Sequence, residues 1–316
     1  MRVVLTGGRG MLSSAIARAW QTERPGDKII RLTREDADLT NAADARRALA
    51  NAQPDLLIHA AAKVGGIAAN VADPAGFLMD NLLIDTSVLR AATDLGVRDL
   101  VYVGSSCMYP KDYRQPLVET DILAAPLEPT NEGYAIAKIA AAKYCEYASQ
   151  QFGLNYRVIV PSNLYGPGDD YATGRSHLVA AAIAKTHAAK IAGAGSVEVW
   201  GDGTARREFT FVDDVARWLA TATGDMAEWP AMLNVGAGRD HTVLEIHQIA
   251  ARVTGWEGEF ELQPERPAGM RQKLMDSGEA KKRGWRPTTS LENGMRIAYE
   301  AFLAREAEQQ QEGTRV

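Results

Sequence analysis

Tyr134 and Lys138 stand four residues apart in the string NEGYAIAK. On a helix that interval sets both side chains on one face, a turn apart. An ammonium beside a phenol favours the tyrosinate and draws the phenol's pKa down toward the working range, so the pair can pass a proton to or from a carbonyl. Ahead of them, DLVYVGSSCMYP reads as a strand ending in Ser105, Ser106 and Cys107. In sheets wound with helices, ligands lie beyond the carboxyl ends of the strands, so these side chains meet the start of the Tyr–Lys helix. Ser105 would share a substrate oxygen with Tyr134. If the chain stays extended there, Ser105 and Cys107 point the same way, although a free cysteine also serves as a small buried hydrophobe.

A second constellation lies at the N-terminus, where GGRGMLS follows the strand-like RVVLT and opens a helix. Gly7 and Gly10 let the backbone approach a pyrophosphate seated on the helix N-terminus. The third position of the glycine spacing is Ser13, so the helix must pack with a small hydroxyl in place of a hydrogen. Enzymes that use NAD place a carboxylate at the tip of the second strand; here IIRLTR offers Arg31 and Arg34, and the glycine loop adds Arg9. Forked cations of this kind match a 2′-phosphate, and NADP is the expected cofactor. The loop WGDGTARREF combines an aromatic platform with two arginines, suited to a nucleobase and its diphosphate, or else it forms a plain hairpin turn.

The elements that must position these groups alternate. Short aliphatic strands (RVVLT, KIIRLT, DLLIHAA, DLVYVGSS, YRVIVPSN) are separated by helix-like stretches near 11–21, 42–51, 81–95 and 134–152. That alternation predicts an α/β fold with a doubly wound parallel sheet. After 163 the chain turns to loops rich in Gly, Pro and charge, then re-enters the core through 212–223 and the strand-like AMLNVGAG, with a further helix at 243–254. The expected organisation is a dinucleotide-binding Rossmann domain over 1–162 with returning segments near 208–240. A smaller C-terminal substrate-binding lobe covers 163–207 and 241–305, and a polar tail at 306–316 is expected to fray. Helices 81–95 and 134–151 carry apolar and alanine-rich faces, which predicts a homodimer built on a four-helix bundle.

Bulk properties narrow the function classes. A net charge of −5 offers no basic field for nucleic acid or anionic lipid. No apolar stretch reaches bilayer length, and no signal-peptide core is present at the N-terminus. Two cysteines are too few for a disulfide framework and fit the cytoplasm. His59, His187, His241 and His247 lack chemical context and read as structural or surface residues, and no cluster has metal-ligand spacing.

The strings AAAKVGGIAAN, GSSCMYP, LEPTNEGYAIAKIA, SNLYGPGD and the pair at 176–177 resemble the GDP-L-fucose synthases, a family of GDP-4-keto-6-deoxymannose 3,5-epimerase/4-reductases among the extended short-chain dehydrogenases/reductases. The likeness runs over nearly the whole chain. It implies reductase roles for Ser105, Tyr134 and Lys138, and an epimerisation pair in Cys107 and His177. It also implies that NADPH contacts Gly7, Arg9, Gly10, Met11, Leu12, Arg34, Asp38, Leu39, Ala60, Ala61, Ala62, Pro161, Asn163, Leu164 and His177 as well as the reductase residues. The GDP-linked 4-keto sugar would meet Asn163, Lys185, Trp200, Arg207 and Lys273, with Lys185 standing where bacterial members carry Arg. A related 4-keto sugar, dideoxy or heptose, would use the same residues. A 4,6-dehydratase would carry an Asp-Glu pair where this chain has Ser106 and Cys107, and a dinucleotide-binding protein without catalysis would be expected to lack Tyr134 or Lys138.

Overall fold

The structure, a computed structural model, describes residues 1–266 and 269–313. Its first half runs β1 (Arg2–Thr6), α1 (Met11–Glu23), β2 (Lys28–Leu32), α2 (Ala42–Ala52), β3 (Leu56–His59), α3 (Ile67–Ala72), α4 (Pro74–Asp94), β4 (Asp99–Val103), α5 (Glu132–Phe152) and β5 (Asn155–Pro161). There follow β6 (Asn163–Tyr165), α6 (Leu178–Ala192), β7 (Ser196–Trp200), β8 (Arg206–Phe211), α7 (Val212–Ala222), β9 (Met232–Val235), β10 (Asp240–Thr242), α8 (Val243–Thr254), β11 (Glu259–Gln263), β12 (Gln272–Lys273), α9 (Gly278–Lys282) and α10 (Leu291–Gly313).

Six strands form one parallel sheet in the order β2-β1-β3-β4-β5-β9. One face is covered by α1 and α7 around Ile16, Trp20, Val215 and Trp285, the other by α2, α4 and α5 around Leu49, Val88 and Ala142. This is the doubly wound sheet expected from the alternation. The chain leaves β1 outward to β2 and returns on the opposite side as β3, so the winding reverses between β1 and β3 and a crevice opens above their carboxyl ends. At one edge of the sheet, β2 presents exposed Lys28 and Arg31. At the other, the β9 backbone N–H of Asn234 donates to Glu119 Oε1 at 2.8 Å.

The second half is organised on β8, which pairs with β10, β12 and β6. Tyr165, Val179, Ile183, Phe209, Phe211, Ile246 and Met295 pack into a separate apolar core beneath α6, α8 and α10. β7 pairs in parallel with β11. WGDGTARREF is therefore no hairpin: it joins strands that belong to different sheets. Among the described residues no helix is long and apolar enough to cross a membrane.

Two boundaries differ from the sequence expectation. The helix expected from 81 begins at Pro74, because Pro suits a first helical position and Asp73 caps the turn by accepting from Gly76 N at 3.0 Å. The tail expected to fray from 306 continues α10 to Gly313, since EAEQQQE consists of good helix formers on an anchored helix; residues 314–316 lie outside the described residues.

The C-terminal segment is latched by one carboxylate. Asp214 of α7, buried at 3% exposure, accepts from Thr288 N (3.0 Å), Thr289 N (2.9 Å), Thr288 Oγ1 (2.7 Å) and Thr289 Oγ1 (3.0 Å). Asp214→Ala strands those donors and should lower unfolding free energy by about 3 kcal/mol. Urea denaturation checks this, and an unchanged midpoint would refute it.

Candidate active site

The dinucleotide crevice is built from close backbone approach. Gly7 sits in the left-handed region (φ +66), and a Cβ there would lie 3.0 Å from Ala61 Cα. Gly10 caps α1 without a side-chain bond, which leaves first-turn N–H groups for an anion. Ser13 makes use of its hydroxyl, donating to Thr6 O at 2.8 Å. Ala60 and Ala61 N each donate to Thr6 Oγ1 at 3.1 Å, pinning the end of β3 to the end of β1. These features fit a pyrophosphate. Met11 and Leu12 begin α1 here, and the loop after β6 crosses over them, with a Gly168 Cβ placed 3.8 Å from Met11 Cα.

The cations at the tip of β2 divide. Arg31 does not face a ligand: its guanidinium folds onto Gly8 O and Ser14 Oγ, bracing the glycine loop. Arg9 pairs with Glu35 at 2.6 Å, both being 70% exposed, so this pair can open to an incoming phosphate at little cost. Arg34 is exposed beside it. Asp38 is occupied by Thr40, whose Oγ1 donates at 2.7 Å, and Leu39 packs on the core.

The proton-transfer groups gather above β4 and the start of α5. The chain is not extended through Cys107: Ser106–Met108 wind into a 3-10 turn, with Cys107 N donating to Ser105 Oγ at 3.2 Å. The turn is stabilised by that Ser105 cap, a local bond that strand alternation does not anticipate. Cys107 stays half-buried and accepts from Asn131 Nδ2 at 3.1 Å, while Lys273 Nζ lies 3.9 Å from its sulfur. The Tyr134 phenol is not drawn down on balance, as the Tyr–Lys spacing suggested, but held above its ordinary pKa. Burial raises its pKa, the neighbouring Cys107 raises it further, and a hydrogen bond with Ser105 opposes both. A phenol so held stays protonated, the form that delivers a proton. The Lys138 ammonium instead turns to Asp85 Oδ2 (3.7 Å), Val103 O (3.4 Å) and the face of Tyr102 (4.7 Å). His177 occupies the N-cap position of α6 without a side-chain cap bond; desolvation and then the charge of Lys273 hold its pKa below the ordinary value.

The expected sugar-nucleotide residues fall into two groups. Asn163, Arg207 and Lys273 collect on one small sheet: Asn163 Nδ2 donates to Glu208 O at 3.1 Å, and Lys273 is in register with Arg207 across β12 and β8. Pro161 and Leu164 flank Asn163 at the end of β5 and in β6. Trp200 ends β7 instead, and Lys185 reaches that strand from α6, its Nζ donating to Glu198 O at 2.9 Å. Arg266 lies 5.5 Å over the Trp200 ring. His59 and His247 are buried structural residues, as their lack of context implied.

Two residues in this region went unread. Asn131 lies at the start of α5 in sequence, and its bond to Cys107 exists only once α5 docks. Asp169 is buried, its Oδ2 without a hydrogen-bond partner, in the loop that crosses α1; the string GPGDD was its only signal.

The family model described as NAD dependent epimerase/dehydratase matches residues 3–236. The chain belongs to that family. Within it, the chain is 44% identical over 302 residues to a GDP-L-fucose synthase of Azorhizobium caulinodans, covering 96% of both chains. It is 38% identical to a GDP-L-colitose synthase of Yersinia pseudotuberculosis, covering 96% of this chain and 98% of the relative. Among solved structures, MlghC, a GDP-mannoheptose C4 reductase from Campylobacter jejuni with NADP bound, superposes with a TM-score of 0.85 at 27% identity, covering 96% of this chain and 98% of that one.

Burial raises the Asp169 carboxyl from 3.8 to about 7, against the opposing bond from Asp170 N. Because the folded pKa exceeds the unfolded one, its contribution to stability is complete below about pH 4 and is lost as pH rises through about 7. Asp169→Asn should therefore match the native chain in urea midpoint near pH 4 and exceed it near pH 8; equal midpoints at both would refute this.

Proposed function

We propose that this epimerase/dehydratase-family chain uses NADPH to convert GDP-4-keto-6-deoxy-D-mannose to GDP-L-fucose by 3,5-epimerisation followed by 4-reduction. The observation that carries the reading is the meeting of Tyr134, Ser105 and Cys107 at the head of α5, with Lys273 beside the thiol. A reductase alone has no use for a half-buried thiol placed between a carboxamide and an ammonium.

The chemistry follows from the carbonyl at C4, which acidifies the C–H bonds at C3 and C5. Cys107 as thiolate removes a proton, Ser105 and Tyr134 hold the developing enolate oxygen, and His177 returns a proton to the opposite face. Asn131 and Lys273 orient and stabilise the sulfur charge. A lowered pKa leaves His177 a stronger acid when it is protonated. NADPH, when bound, supplies the hydride for C4. Tyr134 then protonates the C4 oxygen, with Lys138 one turn along the helix.

Arg207 and Lys273 would meet the diphosphate, and Trp200 the base. Arg9 and Arg34 would meet the cofactor's 2′-phosphate. A second reading, reduction of another GDP-linked 4-keto sugar, rests on the likeness to the colitose and mannoheptose enzymes. We place the chain in the cytoplasm, a compartment suited to two unpaired cysteines. We also take it to be a homodimer, since α4 and α5 expose Met79, Leu83, Ile136 and Tyr147.

Incubating the enzyme with NADPH and GDP-4-keto-6-deoxymannose should yield GDP-L-fucose by NMR, and absence of turnover would reject the reading. Cys107→Ser should slow solvent deuterium entry at C3 and C5 by about 100-fold or more, while Tyr134→Phe should cut hydride transfer by a similar factor. Unchanged exchange, or unchanged hydride transfer, would remove the residue concerned from the mechanism. Sedimentation should give twice the 34.2 kDa chain mass, and a single-chain mass would refute the dimer.

A further inference from the structure

Beneath the active site lies a polar chain of which the proposed chemistry uses Lys138 alone. His59, Asp85, Tyr102 and Lys138 are all at most 1% exposed, and they join strands β3 and β4 to helices α4 and α5. Thr6 Oγ1 accepts from two backbone N–H groups, so its own proton goes to His59 Nδ1, 2.7 Å away. The neutral imidazole therefore carries its proton on Nε2, which lies 3.1 Å from Asp85 Oδ1. Desolvation, the largest influence on His59, holds its pKa low and keeps it uncharged. Tyr102 OH donates to Asp85 Oδ2 at 2.7 Å, and the same oxygen lies 3.7 Å from Lys138 Nζ.

We propose that Asp85 is a positioning residue for Lys138: its carboxylate, braced by His59 and Tyr102, keeps the ammonium charged and fixed one turn from Tyr134. This rests on the functional reading above, which gives Lys138 its role. Tyr102 is kept protonated by burial and by Asp85. Burial alone pushes Asp85 up, yet Lys138, His59 and Tyr102 together outweigh it and hold the carboxyl below its ordinary value. Burial holds the Lys138 pKa below its ordinary value, and Asp85 is the strongest influence in the other direction. The titratable groups around the ammonium are Asp85 from α4, His59 from β3, Tyr102 from β4, and Cys145 and Tyr134 from α5 itself. Cys145 is buried and its thiol is pushed up, so Asp85 supplies the counter-charge. A neutral Lys138 would no longer stabilise the tyrosinate left when Tyr134 gives up its proton.

The full chain saturated with NADP and labelled with 13C at lysine Cε reports this charge by NMR, with Lys138→Met assigning the resonance. The native Lys138 signal should remain that of an ammonium through neutral pH. In Asp85→Asn its titration should move down by about 1–3 pH units, and the alkaline limb of kcat for NADPH oxidation should move with it while KM for the sugar nucleotide changes less than about 2-fold. The shift is downward because the variant loses the influence that opposes burial. Asp85→Glu should return the limb toward native. A native Lys138 already uncharged at neutral pH would overturn the proposal without any variant, as would an Asp85→Asn protein with native titration and pH profile. If the native enzyme oxidises NADPH with no GDP-linked 4-keto sugar, the functional reading fails, while the NMR titration still decides the role of Asp85.

Discussion

An ammonium removed from water loses several kcal/mol of hydration unless a counter-charge accompanies it, and Lys138 is 1% exposed. The counter-charge, Asp85, is equally buried; Tyr102 donates to its Oδ2 from one strand, and His59 Nε2 lies 3.1 Å from its Oδ1 on the next. His59 in turn is fixed by Thr6, the last residue of β1, whose hydroxyl also accepts the backbone N–H groups that turn the chain after β3. The electrostatic needs of one lysine thus propagate through the sheet to the backbone of the dinucleotide crevice. The crevice and the reductive site are thus joined by a run of close polar contacts through the sheet.

The epimerisation side depends on a different seam. β8 carries Arg207 outward and Glu208 inward, and the buried Glu208 carboxyl accepts from Gly238 N at 2.6 Å and Met275 N at 3.0 Å. Ser162 and Thr210 exchange a hydrogen bond of 2.7 Å where β5 passes to β6. Burial raises Glu208 to about 7. That group ties the loop after β9 and the segment after β12 to a single strand, and so sets where Lys273 stands relative to Cys107. A lysine supplied by a two-residue strand acquires a defined position only because its neighbours are held in this way.

The sheet and most of the reactive residues were readable in advance because both rest on short-range regularities: aliphatic strands alternating with amphipathic helices, a glycine loop after β1, and Tyr134 four residues before Lys138. What escaped was tertiary. The direction of the Lys138 ammonium depends on Asp85, which from sequence is one more polar residue on α4. Arg31 looked like a phosphate ligand by position but is claimed by the glycine loop's own carbonyl. The 3-10 turn at Cys107 arises from a local serine cap, and strand alternation contains no trace of it. Asn131 gains its meaning only when α5 docks against β4.

The two margins of the parallel sheet are closed by different means. Along β2, exposed Lys28 sets a positive charge at the margin, which would repel a like strand. Along β9, a backbone donor that could template another strand is already spoken for by the Glu119 carboxylate, and the Asn234 side chain is tied to Leu117 O and Tyr109. A strand added along the β9 margin would find that donor already engaged.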